Sequence, residues 1–268
     1  MAYFLHRAPS ILLYATRAAM APTSPSSGTP ASAGPADPAL IEDLAAANRI
    51  LADQGVLDGY GHVSARHPKN SERYLLSRSL APELVTPADI MEFDLDSNPI
   101  DPRGRSMYLE RFIHGEIYRA RPEVNAIVHS HSPAVVPFGV SSVPLRPLYH
   151  MSGFLAEGIP IFEIRDTGGM TDLLVRDAPL GRALAKTLGE KSVALMRGHG
   201  NVVVGPTIPL AVYRAVYTEV NARLQATAIG LGGSITFLEP EEGRLAAVNI
   251  AGTINRPWEL WKKKALGK

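Results

Sequence analysis

The chain has 268 residues, of which 27 are basic and 26 acidic, and it contains no cysteine. This balance of charge gives no electrostatic case for nucleic acid or an anionic membrane as a partner, and the lack of cysteine excludes disulfides, thiolate nucleophiles and cysteine-based zinc sites. No apolar run reaches the roughly 18 residues that a membrane-spanning helix needs. We therefore expect a cytoplasmic protein with one large α/β domain or two small ones.

Residues 1–37 differ in composition from the rest of the chain. Residues 1–20 contain arginine but no acid, and the stretch that follows is rich in Ala, Pro, Ser and Gly. Low-complexity sequence of this kind cannot build a core. A targeting segment is compatible with it, but an unstructured leader, or a true start at Met20, is the interpretation we favour. The sequence thus predicts a disordered leader at 1–37 and one domain at 38–268.

The first half of the domain contains two predicted helices and four predicted strands. Helical spacing of apolar residues predicts the first helix, from about Pro38 to Gly59. Alternating residues predict short antiparallel strands in YGHVSARH, YLLS and DIMEFDLD. In LERFIHGEIYRA, an apolar stripe that includes Leu109 predicts a helix that Pro122 ends. The β-branched run in VNAIVHSH then predicts a buried strand.

The second half begins with a stretch rich in Pro and Gly, AVVPFGVSSVPLRPLYHMSGFLAEG, which predicts loops with short helices. Strands are predicted in IPIFEIRD, SVALM and NVVVGPT, with a further edge strand in SITFLEPEE. Helices are predicted in APLGRALAKTLGEK and in PLAVYRAVYTEVNARLQATAIGL, the second of which ends at glycine. Helices that alternate with strands indicate an α/β fold with a mixed central sheet.

Glu110, His129 and His131 form a candidate metal site. Side chains two apart on a strand point the same way, so the two histidines project from one face, and the preceding helix can bring Glu110 beside them. Two imidazoles and a carboxylate that converge on one point suit a divalent metal ion. Alternatively, Glu110 and His114 form a surface pair on a helix, and either strand histidine is a hydrogen-bonded core residue.

His199 is a third imidazole candidate. It lies between two glycines and between two predicted buried strands, where glycine lets the backbone bend and lets another group approach closely. A plain β-turn with an incidental histidine is the alternative. Beside the other two histidines, His199 would complete three nitrogen ligands and leave a position open for water or substrate, as in catalytic metal sites.

Four motifs resemble the class II aldolase/adducin family and occur in its order: GHVSAR at 61–66, LERFIH at 109–114, NAIVHSH at 125–131 and RGHG at 197–200. The likeness spans about residues 38–233. It implies a three-layer α/β/α fold with a central mixed sheet, usually assembled as a homotetramer with active sites near subunit interfaces.

The same resemblance implies roles for the candidate residues. His129, His131 and His199 would bind a divalent ion, with Glu110 as a further ligand or as an acid/base. Three histidines and a carboxylate accept zinc, manganese, iron or cobalt, so the identity of the ion stays open.

Departures from the sugar-phosphate aldolases of this family indicate a different substrate. Those enzymes hold a phosphate with small polar residues, whereas here His62 stands where an Asn is usual, and Tyr108 and Leu109 replace two serines. Arg78 and Ser79 occupy the loop that would have made the phosphate turn, and arginine suits a planar carboxylate. We predict that Arg78, Ser79 and His62 contact substrate; a surface ion pair is the alternative for Arg78.

Further stretches, LLSRSLAPELVT, YHMSGF and FEIRDTGGMTDLLV, are similar to a decarboxylase branch of the family that acts on hydroxylated aromatic or pyridine carboxylic acids, or on ring-cleavage products in aromatic catabolism. This likeness implies a small carboxylic acid as substrate, a metal as electron sink, and Glu110 as the leading proton donor. Arg78 would hold a carboxylate that stays, since binding the departing one would favour the ground state. An aldolase, an iron(II)-dependent oxidative decarboxylase and a non-enzymatic adducin-like scaffold are the alternatives.

Two tyrosines are second-line candidates, Tyr149 for contact with substrate and Tyr217 as a proton donor. Tyr217 falls on the predicted long helix, where a core or subunit-interface position is the usual alternative. The C-terminal tail places Trp258 and Trp261 on one helical face, which would cover either a neighbour's site or the tail's own subunit.

Overall fold

The computed structural model describes residues 31–267, which are built around one seven-stranded sheet. In chain order the strands are β1 (His62–Arg66), β2 (Arg73–Ser77), β3 (Ile90–Asp94), β4 (Ala126–Ser130), β5 (Ile161–Phe162), β6 (Val193–Met196) and β7 (Gly200–Gly205). Across the sheet the order is β3-β2-β1-β4-β7-β6-β5. In this part of the chain β5 and β6 pair in parallel and the other neighbours are antiparallel, so the predicted mixed sheet is confirmed.

Helices cover both faces of the sheet. They are α1 (Pro38–Asp53), α2 (Phe112–Ala120), α3 (Val136–Val140), α4 (Arg165–Gly168), α5 (Ala178–Leu188), α6 (Ile208–Leu231), α7 (Pro240–Ala251) and α8 (Asn255–Ala265), with 3-10 segments at Pro82–Leu84, Pro87–Asp89, Leu109–Arg111 and His150–Glu157. The helices α1 and α6 pack on one face, with α8 against them, and α2 and α5 cover the other. The three-layer α/β/α arrangement is thereby confirmed.

Side-chain caps set where three of these helices begin. Asp37, Asp177 and Thr207 each accept a hydrogen bond from a backbone N–H in the first turn of α1, α5 and α6, and each of these helices has proline at one of its first two positions. Such caps satisfy donors that a helix leaves unpaired at its N-terminus. Among helices in the described residues, none is both long and apolar enough to cross a bilayer.

The Pro- and Gly-rich segment between β4 and β5 has short helices, as predicted, and polar side chains of α6 hold it. Asn221 accepts a hydrogen bond from the N–H of Leu148 and donates to the carbonyl of Arg146. Gln225 accepts from the N–H of Arg146 and donates to the carbonyl of Pro144. These buried amides satisfy backbone groups that have no strand partner, so they fix the path of a segment that has no regular structure.

Two predicted strands differ from the structure. The strand in IPIFEIRD is limited to Ile161–Phe162, because the Glu163 carboxylate accepts a hydrogen bond from the N–H of Arg165 and starts the turn into α4. The edge strand predicted in SITFLEPEE is wrong, because a capping box between Glu239 and Glu242 begins α7 there.

Two helix predictions are also corrected. The helix α1 ends at Asp53 rather than at Gly59, because Gly55 adopts a φ of +71° and reverses the chain. Leu109 does not belong to the buried stripe of α2, since its side chain is 60% exposed. It lies in the 3-10 turn before α2, and the change of helical period removes it from the face on which Ile113 is buried.

The end of the predicted leader lies against the domain. Ser32 donates a 2.5 Å hydrogen bond to Glu92, and the carbonyl of Gly34 lies 3.1 Å from Nε2 of His67. Residues 1–30 fall outside the described part of the chain. A domain boundary at Pro38 therefore stays a prediction, with contacts to the domain beginning before it.

Candidate metal centre

Antiparallel pairing between β4 and β7 brings the three histidines to one end of the sheet. His129 lies on β4, and His131 is the first residue beyond that strand. His199 ends the β6–β7 turn, in which its N–H donates to the carbonyl of Met196 at 3.0 Å. A Cβ on Gly200 would collide with the carbonyl of Ser130, so glycine is required for the turn to approach β4 this closely.

Glu110 reaches the same point from the opposite direction. It lies in the 3-10 turn that leads into α2, and it is 8% exposed. Its Oε2 is 3.4 Å from Nε2 of His129 and 3.4 Å from Nε2 of His199. Nε2 of His131 lies 3.0 Å from Nε2 of His199. The ligand atoms of all four residues lie within 4.8 Å of one another, so the four predicted residues are together.

Hydrogen bonds of His129 and His199 direct bare nitrogens into this cluster. Nδ1 of His129 lies 3.2 Å from the carbonyl of Asn201, and Nδ1 of His199 lies 2.9 Å from the carbonyl of Leu173. Because a carbonyl can only accept, each Nδ1 carries the proton, which leaves Nε2 as a lone pair. Nε2 of His129 is enclosed and has no hydrogen-bond partner among the described residues.

These observations fit a divalent cation. Two ligands about 2.1 Å from a tetrahedral ion lie about 3.4 Å apart, which is the separation of Glu110 Oε2 from the His129 and His199 nitrogens. An enclosed nitrogen lone pair without a donor costs free energy unless a cation or proton occupies the centre. Histidines oriented by backbone carbonyls are the usual support of such ligands.

The electrostatics of the cluster keep Glu110 ionised. Burial would raise the pKa of this carboxyl, but the imidazoles of His129 and His199 outweigh burial and hold the pKa far below its ordinary value. Burial, helped by the two neighbouring imidazoles, lowers the pKa of His131 to about 4. Glu110, by contrast, raises the pKa of His199 despite burial. The carboxylate therefore favours a positive charge beside it, which a bound cation would supply in place of the proton.

A short backbone segment after α4 fixes two of the four residues; it belongs to the stretch FEIRDTGGMTDLLV, for which the sequence predicted no contact with the cluster. The carbonyl of Leu173 orients His199, and the N–H of Val175 donates to Oε1 of Glu110 at 2.9 Å. Leu173 holds a φ of +70°, which is rare for a residue other than glycine and is associated with functional sites. No residue type marks such a segment, because its contacts are made by backbone atoms.

Beside the cluster lies a cleft of about 530 Å³. Its lining is mainly apolar and aromatic, and includes Tyr60, Leu80, Met107, Tyr108 and Leu174. None of the described residues that line it is lysine or arginine. A cleft of this kind suits a small, partly apolar ligand better than a phosphate ester, which needs several donors or cations.

The structure places two of the predicted substrate-binding residues in this cleft. Ser79 and His62 both line it, beside Glu110 and His131. The ring of His62 is 5.1 Å from that of His129, measured between centroids. Burial and the neighbouring imidazoles hold the pKa of His62 well below its ordinary value.

Arg78 is not among the residues that line the cleft, although its neighbour Ser79 is. Its Nε contacts the carboxylate of Asp89 at 2.6 Å, and its side chain is 37% exposed. Its two Nη groups make no hydrogen bond within residues 31–267. The ion pair that was the alternative interpretation is therefore present, but it uses one edge of the guanidinium.

Tyr149 and Tyr217 are not brought to the cluster within this chain. They lie 6.5 Å apart between ring centroids, and Tyr217 packs with the core under α6, on the opposite face of the sheet. Trp261 is 6.4 Å from Tyr217, and the tail helix α8 packs on α1 and α6. The tail thus docks on its own subunit, and the roles predicted for the two tyrosines stay predictions.

The comparison with known proteins matches the region that contains the four sequence motifs. Residues 42–226 match the family described as Class II Aldolase and Adducin N-terminal domain. The chain belongs to this family. It is 39% identical over 238 residues to the decarboxylase tropJ of Talaromyces stipitatus, covering 80% of this chain and 90% of that protein.

Two further relatives extend the comparison. The 3,4-dihydroxyphthalate decarboxylase of Arthrobacter keyseri is 31% identical over 229 residues, covering 80% of this chain and 88% of that protein. The structure of L-fuculose 1-phosphate aldolase from Glaciozyma antarctica superposes with a TM-score of 0.71 at 25% identity, covering 86% of this chain and 90% of that one. The scaffold is thus shared with a sugar-phosphate aldolase, while the more similar sequences carry the name decarboxylase.

Proposed function

We propose that the protein is a metal-dependent, non-oxidative decarboxylase that acts on a hydroxylated aromatic or ring-cleavage dicarboxylic acid. One observation carries the proposal: a cluster of three histidines and a carboxylate adjoins a cleft lined mainly by apolar and aromatic side chains. The decarboxylase names of the similar sequences agree with this choice.

In this proposal Glu110, His129, His131 and His199 hold a divalent ion. When bound, such an ion supplies a Lewis acid that draws electron density from a substrate oxygen next to the bond that breaks. Zinc, manganese, iron and cobalt all suit this donor set. The chain contributes the enclosed nitrogen lone pairs and the backbone carbonyls that orient them.

Glu110 has two compatible roles. As a buried carboxylate with a strongly lowered pKa it is a ligand at rest, and its Oε1 is already engaged by the N–H of Val175. Loss of carbon dioxide leaves an electron pair on carbon, and one proton must bind to that carbon to complete the reaction. In the acid/base role, Glu110 first takes a proton from the substrate hydroxyl as that group binds and then returns it to this carbon.

Arg78 is proposed to hold a second carboxylate that remains in the product. Its free Nη pair offers the planar, two-bond contact that suits a carboxylate. A departing carboxylate loses its charge as carbon dioxide forms, so a cation fixed on it would stabilise the ground state more than the transition state. This reasoning favours a dicarboxylic acid.

We propose a homotetramer, as the family resemblance implies, and a cytoplasmic location, which the lack of cysteine favours. Light scattering of the purified protein tests the assembly directly. A mass of one subunit would exclude it.

The test of function is carbon dioxide release by metal-free protein reloaded separately with zinc, manganese, iron or cobalt. The substrates are hydroxylated aromatic dicarboxylic acids, each paired with the same acid lacking the hydroxyl. We expect release that needs both the metal and the hydroxyl, at equal rates with and without oxygen. Oxygen uptake in step with carbon dioxide would indicate the oxidative alternative, and cleavage of a dihydroxyacetone phosphate adduct would indicate the aldolase.

A further inference from the structure

Four buried polar side chains form a continuous hydrogen-bonded chain beneath the cleft. Nδ1 of His62 lies 2.6 Å from Nε2 of His114, and Nδ1 of His114 lies 2.6 Å from Oγ of Ser64. Oγ of Ser64 lies 2.8 Å from the hydroxyl of Tyr118. None of the four is more than 3% exposed. The chain runs from the strand β1 to the helix α2 and ends in the cleft at His62.

The direction of this chain follows from its far end. The Tyr118 hydroxyl has no partner among the described residues except Ser64, and a buried O–H without an acceptor is costly. Tyr118 therefore donates to Ser64. Ser64 has one hydrogen, which it donates to Nδ1 of His114. The proton of His114 is then on Nε2 and is donated to Nδ1 of His62.

Only this arrangement gives an acceptor to every hydrogen that lies between two of the four side chains or on the buried Tyr118 hydroxyl. Reversal would leave the hydrogen of Tyr118 or of Ser64 unpaired. Its consequence is that Nδ1 of His62 accepts, so the only ring hydrogen of His62 is on Nε2.

Nε2 of His62 makes no hydrogen bond within residues 31–267, and this nitrogen is not fully enclosed by protein. The His62 ring lines the cleft and lies 4.5 Å from the ring of Tyr108, between centroids. The free N–H therefore faces the cleft, on the side of the cluster where His129 lies.

We propose that His62 is a specificity-determining residue whose Nε2–H is locked as a donor to a substrate oxygen that carries no hydrogen, and that His114, Ser64 and Tyr118 are positioning residues that impose this tautomer. The inference rests on the proposed function for the identity of that oxygen, an ionised hydroxyl or carboxylate beside the metal cluster. A substrate that offers an N–H or a methyl group at this position meets a donor that cannot turn into an acceptor.

The hydrogen-bonded chain holds the Nε2 proton of His62 in place and does not deliver it to substrate. Transfer of the His62 proton to substrate, refilled along the chain, would end with a phenolate at Tyr118. Burial raises the pKa of that phenol, and the guanidinium of Arg66, 4.7 Å from the ring centroid, does not offset burial. A lock on orientation is thus favoured over a relay.

The direct test is nitrogen-15 NMR of the zinc-loaded protein with labelled histidine, in which the His62 signals are assigned by their loss in His62→Gln. We expect His62 to carry its proton on Nε2 in the wild type and to become a mixture of tautomers in Ser64→Ala, which removes the hydrogen that holds Nδ1 of His114 as an acceptor. Ser192→Ala is the matched control, because Ser192 is also buried but donates to Glu157, outside the hydrogen-bonded chain. A proton on Nδ1 of His62 in the wild type would overturn the proposal.

Kinetics give the second readout, with a hydroxy acid and its amino analogue as competing substrates. In Ser64→Ala, KM for the hydroxy acid should rise by up to about tenfold, the size of one hydrogen bond to a charged oxygen. The preference over the amino analogue should shrink by a similar factor, because the freed ring can also accept. Equal changes in Ser64→Ala and Ser192→Ala would reduce the effect to packing and contradict the proposal. The NMR result needs no turnover, so failure of the decarboxylase assignment is distinguishable from failure of this one.

Discussion

Both faces of the sheet bury an apolar cluster, but the two sides of the strand β1 differ in what they bury. On the face covered by α1 and α6, β1 presents Val63 and Ala65 to a continuous apolar cluster. On the face covered by α2, the same strand presents His62 and Ser64, which enter a hydrogen-bonded chain. Because side chains alternate along a strand, five residues of β1 serve both purposes.

Buried apolar side chains contribute mainly to folding stability, whereas the buried polar side chains here serve the chemistry of the site. An apolar side chain needs only a complementary shape, and its burial contributes free energy of folding wherever it packs. A buried imidazole or carboxylate must find a partner for each polar atom, and it contributes little net stability when it does. We therefore expect changes on the α1 and α6 face to alter the free energy of unfolding, and changes around the cluster to alter turnover.

The largest effect is expected for Glu110→Gln. Glutamine keeps the shape and an oxygen ligand but cannot transfer a proton, so the rate of carbon dioxide release should fall roughly 10²–10⁴-fold, with little change in melting temperature. Glu116→Gln is the control, because Glu116 is also buried but pairs with Arg182 outside the cleft. A comparable loss of turnover in both variants would mean that the helix α2, and not the cluster, had been disturbed.

The opposite face provides the converse experiment in Leu44→Ala. Leu44 is fully buried in α1, so its truncation should lower the free energy of unfolding by about 2–5 kcal/mol. The kcat/KM of the folded fraction should be unchanged within about twofold. Urea denaturation and initial rates measure the two quantities. A kcat/KM that fell in proportion to stability would end the separation of the two faces.

Arg78→Lys tests the role of the guanidinium next to Ser79, which lines the cleft. Lysine keeps the charge beside Asp89 but loses the planar pair of N–H groups, so KM for a dicarboxylic acid should rise by about tenfold while metal content is unchanged. Arg103 forms a similar ion pair with Asp101, at 2.6 Å on the exposed surface, and Arg103→Lys should leave the kinetics unaltered. Unchanged KM in Arg78→Lys would leave Arg78 with its ion pair to Asp89 alone.

The smallest effect is expected from shortening the N-terminus. A chain that begins at Pro38 should keep its fold and activity but lose the Asp37 cap of α1 and the contacts of Ser32 and Gly34. The cap is worth about 1 kcal/mol, so its loss alone should lower the melting temperature by about 2–4 °C. A chain that begins at Ala31 should melt within about 1 °C of the full-length protein. A large fall in melting temperature for the first of these chains would place part of the core before Pro38.

Local patterns were sufficient to predict the main elements and the cluster. The two-residue spacing of His129 and His131 on an apolar strand, and the glycines on both sides of His199, are features of residue type and position. They fix which way side chains point and how closely two backbones approach, so the convergence of these residues was predictable before the sheet order was known.

Other features depend on contacts that residue type does not reveal. The Leu173 carbonyl and the Val175 N–H orient two of the ligands through backbone atoms. The strand at Ile161–Phe162 stops because of one side-chain contact of Glu163. Tyr217 lies across the sheet from the cluster, which only the tertiary packing of α6 determines.

The most direct test of the central claim is the metal content per subunit of wild-type protein beside His129→Ala, His131→Ala and His199→Ala. Ligands of one ion act as a unit, so each substitution should remove most of roughly one bound metal per subunit and lower carbon dioxide release by a similar large factor. Full metal and full rate in any one of the three variants would show that its histidine is structural, and would contradict a shared metal centre.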